Sequence, residues 1–256
     1  MSGASPLAGR RIVVTRPPSQ AGSLCAAIRA RGANAECIPV MLIEPLPASA
    51  ELTGIIDQLE SFSLAFFVSA NAVHFGLAAV CARRTWPATL AVATVGPGSE
   101  RALKAAGFDT VIAPHSGFDS EAVLALPAFS TAAVAGRRVV IFRGNGGRDL
   151  LGDTLAQRGA TVRYAACYRR RVPESGAARL VELADAIDAI VLTSSEGVGN
   201  LASMLGSDIQ RLHHVPIVSP HPRICARARA AGFDTVVETA PGDAGLIAGM
   251  EHYFQG

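Results

Sequence analysis

The chain has 256 residues, half of them hydrophobic, with 17% charged and a formal net charge of +2. This length suits one large domain or two of ordinary size, and the composition suits a folded α/β protein, not a disordered one. So small a net charge argues against a nucleic-acid protein.

The N-terminal MSGASPLAGRR shows no apolar stretch behind a basic start, so no secretory leader is expected. The most apolar run, 64–82, contains Ser69, Asn71, His74 and Gly76. It reads as a strand, a turn and a helix, not as a membrane span. Five cysteines are scattered without a C-x-x-C pair, which suits reduced thiols in the cytoplasm and argues against a zinc site.

Taken in chain order, apolar β-branched runs predict strands near residues 12–15, 35–38, 64–68, 91–95 and 110–113. A second series follows near 139–142, 162–165, 189–193, 215–219 and 235–238. Short, continuously apolar runs are those of strands covered on both faces. Helical patterns such as SERALKAAG and RICARARAAG lie between them, each ending at a C′ glycine. Alternating β and α elements imply parallel sheets with right-handed crossovers.

The two series are related. AAGFDTV occurs at 105–111 and again at 230–236, and VSANAV (68–73) falls on TSSEGV (193–198) at the same offset of 125. Upstream the offset is 127, where GRRIVVTR (9–16) falls on GRRVVIFR (136–143) and RGA at Arg31 falls on RGA at Arg158. Repetition of this length implies an internal duplication. The heptapeptide itself reads as a helix end, a glycine stop and entry to the next strand. It is a packing device, not a site.

Two extended links occupy equivalent positions, PVMLIEPLP (39–47) and ACYRRRVP (166–173). They suggest that the chain leaves one domain and later returns to it. Two separate half-chain domains, joined near PAFSTAAVAG, fit the pattern as well.

Arginine supplies 22 of the 23 basic residues, Lys104 being the exception. Nine arginines lie between Arg137 and Arg171, against two acids, Asp149 and Asp153. Guanidinium forks match carboxylates and phosphates, so an anionic small molecule is the expected partner.

Ligands of parallel α/β sheets gather at the carboxyl ends of strands, where helix N-termini present amides. Four turns fall there: Ser69-Ala70-Asn71, Gly96-Pro97-Gly98-Ser99, Ser194-Ser195-Glu196-Gly197 and Ser219-Pro220-His221. Their amides and hydroxyls are candidates for binding carboxylates, and their serines are equally suited to capping helices. RGNGGRD (143–149) is neither a dinucleotide fingerprint nor a phosphate loop. Gly144 and Gly147 would still let an anion approach the backbone, with Arg143 and Arg148 as its counter-charges, or they form a plain turn. Arg16 is the first-copy counterpart of Arg143. No histidine motif, nucleophile elbow or metal-ligand spacing is present.

VVTRP (13–17), VSANAV (68–73), TVGPGS (94–99), FRGNGGRDLL (142–151), YRRRVP (168–173) and LTSSEGV (192–198), the counterpart of VSANAV, occur in this order and register. Together they resemble the uroporphyrinogen-III synthase family, from Gly9 to about Met250. The sequence departs from the family at Ser99, where members often have Thr, and at SPHPR (219–223), which lacks the glycine.

The resemblance implies an α/β fold of two similar parallel-sheet, flavodoxin- or Rossmann-like domains joined by a two-stranded β-ladder made from the links. It implies a discontinuous first domain, 1–38 plus 172–256, and a second at 39–171 that carries the linker strands. The implied reaction closes hydroxymethylbilane with loss of water and inversion of ring D through a spiro intermediate, without metal or organic cofactor. A monomer is implied, able to receive substrate from hydroxymethylbilane synthase. Tyr168, on the second link, is the implied aid to departure of the hydroxyl; its alternative role is packing of the ring. A non-catalytic two-domain binder of a polycarboxylate is the rival reading.

Overall fold

The short apolar runs form strands whose side chains alternate between two buried faces. The computed structural model describes residues 5–147 and 149–256. The chain divides into two compact units, one running up to Leu42 and resuming at Arg171–Gly256, the other Ile43–Arg170.

In chain order the elements are β1 (Arg11–Val14), α1 (Pro18–Arg29), β2 (Asn34–Cys37), β3 (Leu42–Pro45), α2 (Ala50–Asp57), β4 (Leu64–Phe67), α3 (Ala70–Cys81), β5 (Ala91–Thr94), α4 (Pro97–Ala105), α5 (Ser120–Leu124), α6 (Thr131–Val134), β6 (Arg138–Gly144), α7 (Leu150–Gln157) and β7 (Thr161–Arg171). There follow α8 (Ala177–Glu182), β8 (Ala189–Val191), α9 (Ser195–Leu205), β9 (Ile217–Ser219), α10 (Pro222–Ala230), β10 (Val236–Glu238) and α11 (Gly242–Gln255).

The first unit carries a sheet of order β10-β9-β8-β1-β2 and the second a sheet of order β3-β7-β6-β4-β5. Pairing of β1 with β2 and β8, of β9 with β8 and β10, and of β4 and β7 with β6 is parallel, as is that of β4 with β5. The N-terminal β-α-β thus pairs through β1 with a strand from the last third of the chain.

Period-2 alternation sends the two sides of each strand into different cores. In the second unit Ala65, Phe67, Val140 and Phe142 pack on one face with α2, α3 and α4. Leu64, Phe66, Val139 and Ile141 pack on the other with α5, α6 and α7. Val13 and Ile12 are divided between the two faces of the first unit's sheet in the same way. Phe67 and Phe142 stack at 4.8 Å and 9°. Helix α3 lies close over them, since a Cβ on Gly76 would stand 2.8 Å from Phe142 Cδ1.

Both copies of the heptapeptide form the same helix stop. Gly107 and Gly232 have φ of +94° and +95°. The next amide reaches back to the helix in each, from Phe108 to the Leu103 carbonyl at 3.2 Å and from Phe233 to that of Ala228 at 3.4 Å. This is a Schellman closure, which turns two otherwise unpaired helix carbonyls into acceptors.

Two expectations change. The strand expected at 110–113 is a single bridge between Ile112 and Ala93; Pro114 follows and has no N–H to extend the ladder. The strand expected at 162–165 does not stop there. It continues through the link as the 11-residue β7, with β3 beside it in the sheet.

Candidate active site

Parallel strands open onto their helices at one edge of a sheet, and in the second unit that edge collects most of the expected residues. Ser69 follows β4 and caps α3, its Oγ accepting from the Ala72 amide at 3.1 Å. Ala70 and Asn71 form the first turn of that helix. Gly96 caps α4 without a side-chain bond, Pro97 fills the first helical position, and Ser99 is buried. Arg143 and Gly144 end β6.

Tyr168 reaches this edge through an irregularity in β7. Arg143 pairs with Ala166, but Gly144 pairs with Tyr168, so Cys167 is an extra residue. Strict alternation would put Tyr168 on the Tyr164 side of the sheet. The bulge instead places Ala165, Cys167 and Tyr168 together on the α3 side, the kind of re-aiming that bulges provide.

The Tyr168 ring is fixed on three sides. It stacks on Phe75 at 5.8 Å, and a Cβ on Gly144 would stand 3.0 Å from its Cε2. Its hydroxyl lies 3.2 Å from Ser69 Oγ. Only 4% of the residue is exposed. Beside it, the Cys167 thiol donates to the Arg143 carbonyl at 3.4 Å. Burial pushes that thiol up to about 12, with backbone hydrogen bonds opposing, so it stays protonated and is no nucleophile.

Arg143 is held in place. It pairs with Asp149, and its guanidinium lies 4.8 Å from the centre of the Tyr164 ring. Gly147, at φ +137°, passes close to that guanidinium. Arg148 lies outside the described residues.

The first unit offers the corresponding edge of its own sheet. Ser194 caps α9, accepting from the Gly197 amide at 2.9 Å, and Ser195 and Glu196 make up the first turn. The hydroxyls of Ser195 and Ser219 are buried and have no hydrogen-bond partner among the described residues. His221, beside Ser219, caps α10 through Nδ1. Arg16 pairs with Asp243 at 2.7 Å, and Ser23 donates to the same carboxylate. Burial pushes the Asp243 carboxyl up, but these two hydrogen bonds outweigh it and hold it below its ordinary value.

Each sheet edge therefore combines capped helix N-termini with one arginine, the chemistry of carboxylate binding. No group of three or more potential metal ligands occurs among the described residues. Sequence reasoning missed four features: the bulge at Cys167, the Phe75 stack, and the acidic partners of Arg143 and Arg16. Only Asp149, close to Arg143 in the chain, left a signal that could have been read.

Residues 22–248 match the family model described as uroporphyrinogen-III synthase HemD. Uroporphyrinogen-III synthase of Escherichia coli (strain K12) is 30% identical over 244 residues, covering 93% of this chain and 98% of that protein. The chain belongs to the uroporphyrinogen-III synthase family. The Salmonella typhimurium uroporphyrinogen-III synthase is 38% identical over 164 residues, 62% of this chain and 64% of that protein.

The fold agrees with this membership. A crystal structure of a mutant uroporphyrinogen III synthase from the extremely thermophilic bacterium Thermus thermophilus superposes with a TM-score of 0.62 at 18% identity, over 96% of this chain and 99% of that one. The Helicobacter pylori enzyme gives 0.54 at 12%, with the same coverage. Uroporphyrinogen-III synthases are lyases of tetrapyrrole biosynthesis, so the non-catalytic binder is not favoured. No helix among the described residues is long and apolar enough to cross a membrane.

Proposed function

We propose that the chain closes hydroxymethylbilane, with loss of water and inversion of ring D, and that Tyr168 assists departure of the hydroxyl. The substrate supplies most of the reactivity, because the pyrrole nitrogen pushes electrons towards the hydroxymethyl carbon. The C–O bond breaks with its electron pair on oxygen. That oxygen takes the phenolic proton and leaves as water, with an azafulvenium cation and a phenolate remaining. Ring D attacks through its substituted α-carbon to give a spiro intermediate, which fragments and recloses at the free position. The proton lost when the last pyrrole regains aromaticity restores the phenol.

What remains for the protein is positioning, which can remove several kcal/mol of barrier. In this reading the amides at Ser69, Ala70, Asn71, Gly96 and Ser99 receive substrate carboxylates. Arg143, Gly144, Gly147 and Arg148 form a second anion contact. Arg16, Ser194, Ser195, Glu196, Gly197 and Ser219 do the same work on the first unit. Arg143 and Arg16 would exchange their present carboxylates for those of the substrate.

The reading also takes the chain as a duplicated, monomeric cytoplasmic enzyme of two domains, 1–38 plus 172–256 and 39–171. The links form the joining ladder, and substrate is accepted from hydroxymethylbilane synthase. The offsets of 125 and 127 between the sequence repeats and the matching helix stops support the duplication.

The observation that carries the proposal is the Tyr168 phenol, turned by a bulge onto the edge where the capped helices begin. Tyr168→Phe tests it by keeping the ring and removing the hydroxyl. General acid assistance is typically worth about 10²–10⁴-fold. A smaller fall in kcat is expected here, because the leaving group departs easily, with little change in Tm and type III product retained. Wild-type kcat would remove the phenol from the reaction.

A further inference from the structure

The Ser69 hydroxyl has more to do than cap a helix. It owns one proton and two lone pairs. One lone pair accepts the Ala72 amide proton at 3.1 Å, and the phenol oxygen of Tyr168 lies 3.2 Å away. These are the partners of Ser69 Oγ among the described residues. Two arrangements satisfy the distances. If the phenol donates to Ser69, its proton is tied up and the Ser69 proton has no acceptor. If Ser69 donates to the phenol, its proton has an acceptor and the phenolic proton is the one left over, available to a third group.

We infer that Ser69 is a positioning residue for Tyr168, donating its hydroxyl proton to the phenol oxygen so that the phenolic proton is directed at the leaving hydroxyl. This rests on the proposed role of Tyr168. It reassigns the Ser69 side chain from substrate to phenol and leaves the backbone amides of α3 to the carboxylates. As the C–O bond breaks and the phenolic proton moves to the departing oxygen, the charge left on the phenol oxygen meets the Ser69 O–H. That hydrogen bond is charge-assisted in the transition state and neutral before it, so it acts on kcat and not on KM.

The wiring is local to one unit and rigid. Ser69 is extended, with φ −168° and ψ 167°, between β4 and the 12-residue α3. The phenol is pinned between Phe75 and Gly144. At 3.2 Å the bond is long for two hydroxyls, and a developing charge on the phenol oxygen would shorten it.

The test is a double-mutant cycle on kcat and KM with hydroxymethylbilane, with Tm and the isomer ratio measured for every variant. Ser69→Ala should lower kcat by about 5–10-fold, the worth of one hydrogen bond, with KM little changed. In the Tyr168→Phe background the same substitution should cost nothing more in kcat. Ser69→Thr keeps the hydroxyl and should restore most of the rate. Ser69→Asp still accepts from the Ala72 amide but has no proton to give. It should recover the Tm lost in Ser69→Ala and keep the low kcat of that variant at saturating substrate, repulsion of the substrate carboxylates being read separately in KM. Losses that multiply in the double mutant, or a raised KM with unchanged kcat, would show that Ser69 acts independently of the phenol. Either result overturns the inference and leaves the role of Tyr168 standing. A Tyr168→Phe enzyme at wild-type kcat would end both.

Discussion

At Gly144 the backbone of β6 comes so near the Tyr168 ring that a methyl group would stand 3.0 Å from Cε2 and 3.1 Å from Cζ. The residue therefore sets where the phenol lies, through the space it leaves. Gly144→Ala should push the ring away by a few tenths of an ångström and lengthen its contact with Ser69. A misplacement of even about 1 Å can cost on the order of 100-fold in rate. The expected outcome is a several-fold loss of kcat with near-normal Tm, and unaltered kcat would show that the ring position is not critical. Cys167 makes a different prediction. Its buried thiol ionises only near pH 12, whereas Cys37 and Cys81 are exposed. Iodoacetamide at pH 8 should label Cys37 and Cys81 in the folded protein and spare Cys167, with all five thiols labelled in denaturant. The sign for stability follows. The folded pKa lies above the unfolded one, so the contribution is complete below about pH 8.5. It is lost as pH climbs towards 12. Labelling of native Cys167 at pH 8 would contradict the packing described for β7.

Helix α3 is the element on which the site depends, because it carries Ser69, Ala70 and Asn71 and is seated by close contact with Phe67 and Phe142. Gly76→Ala introduces a methyl 2.8 Å from Phe142 Cδ1, and overpacking of this kind costs about 1–3 kcal/mol. A lower Tm is expected together with a lower kcat, because tilting α3 moves Ser69. A stable, fully active Gly76→Ala enzyme would show that α3 can yield without disturbing the edge. Much at this scale was legible in the residues. Apolar β-branched runs located the strands, and Gly107 and Gly232 located two helix stops. Other features left no local trace. The strand read at 110–113 is a lone bridge, since pairing there depends on a neighbour and Pro114 cuts it short. The bulge at Cys167 is a mismatch of register between two strands, which the sequence of neither strand encodes alone. The ion pair of Arg16 with Asp243 joins residues far apart in the chain. Its geometry needed the fold.

For the whole molecule, family membership rests on a match that runs over residues 22–248 and on a relative covered for 98% of its length. The two sheets share an arrangement in which the strand after each capped serine helix lies next to the one before it, β8 by β9 and β4 by β5. Both sheet edges offer helix N-termini and an arginine, which suits a substrate bearing carboxylates on every ring. The most direct test is to incubate the protein, dialysed against chelator and without added cofactor, with freshly prepared hydroxymethylbilane, then oxidise and resolve the porphyrin isomers. Type III porphyrin should dominate, at a rate that scales with protein and is unchanged by the dialysis. Only the type I isomer, at the rate seen without protein, would contradict the reaction assigned to this chain.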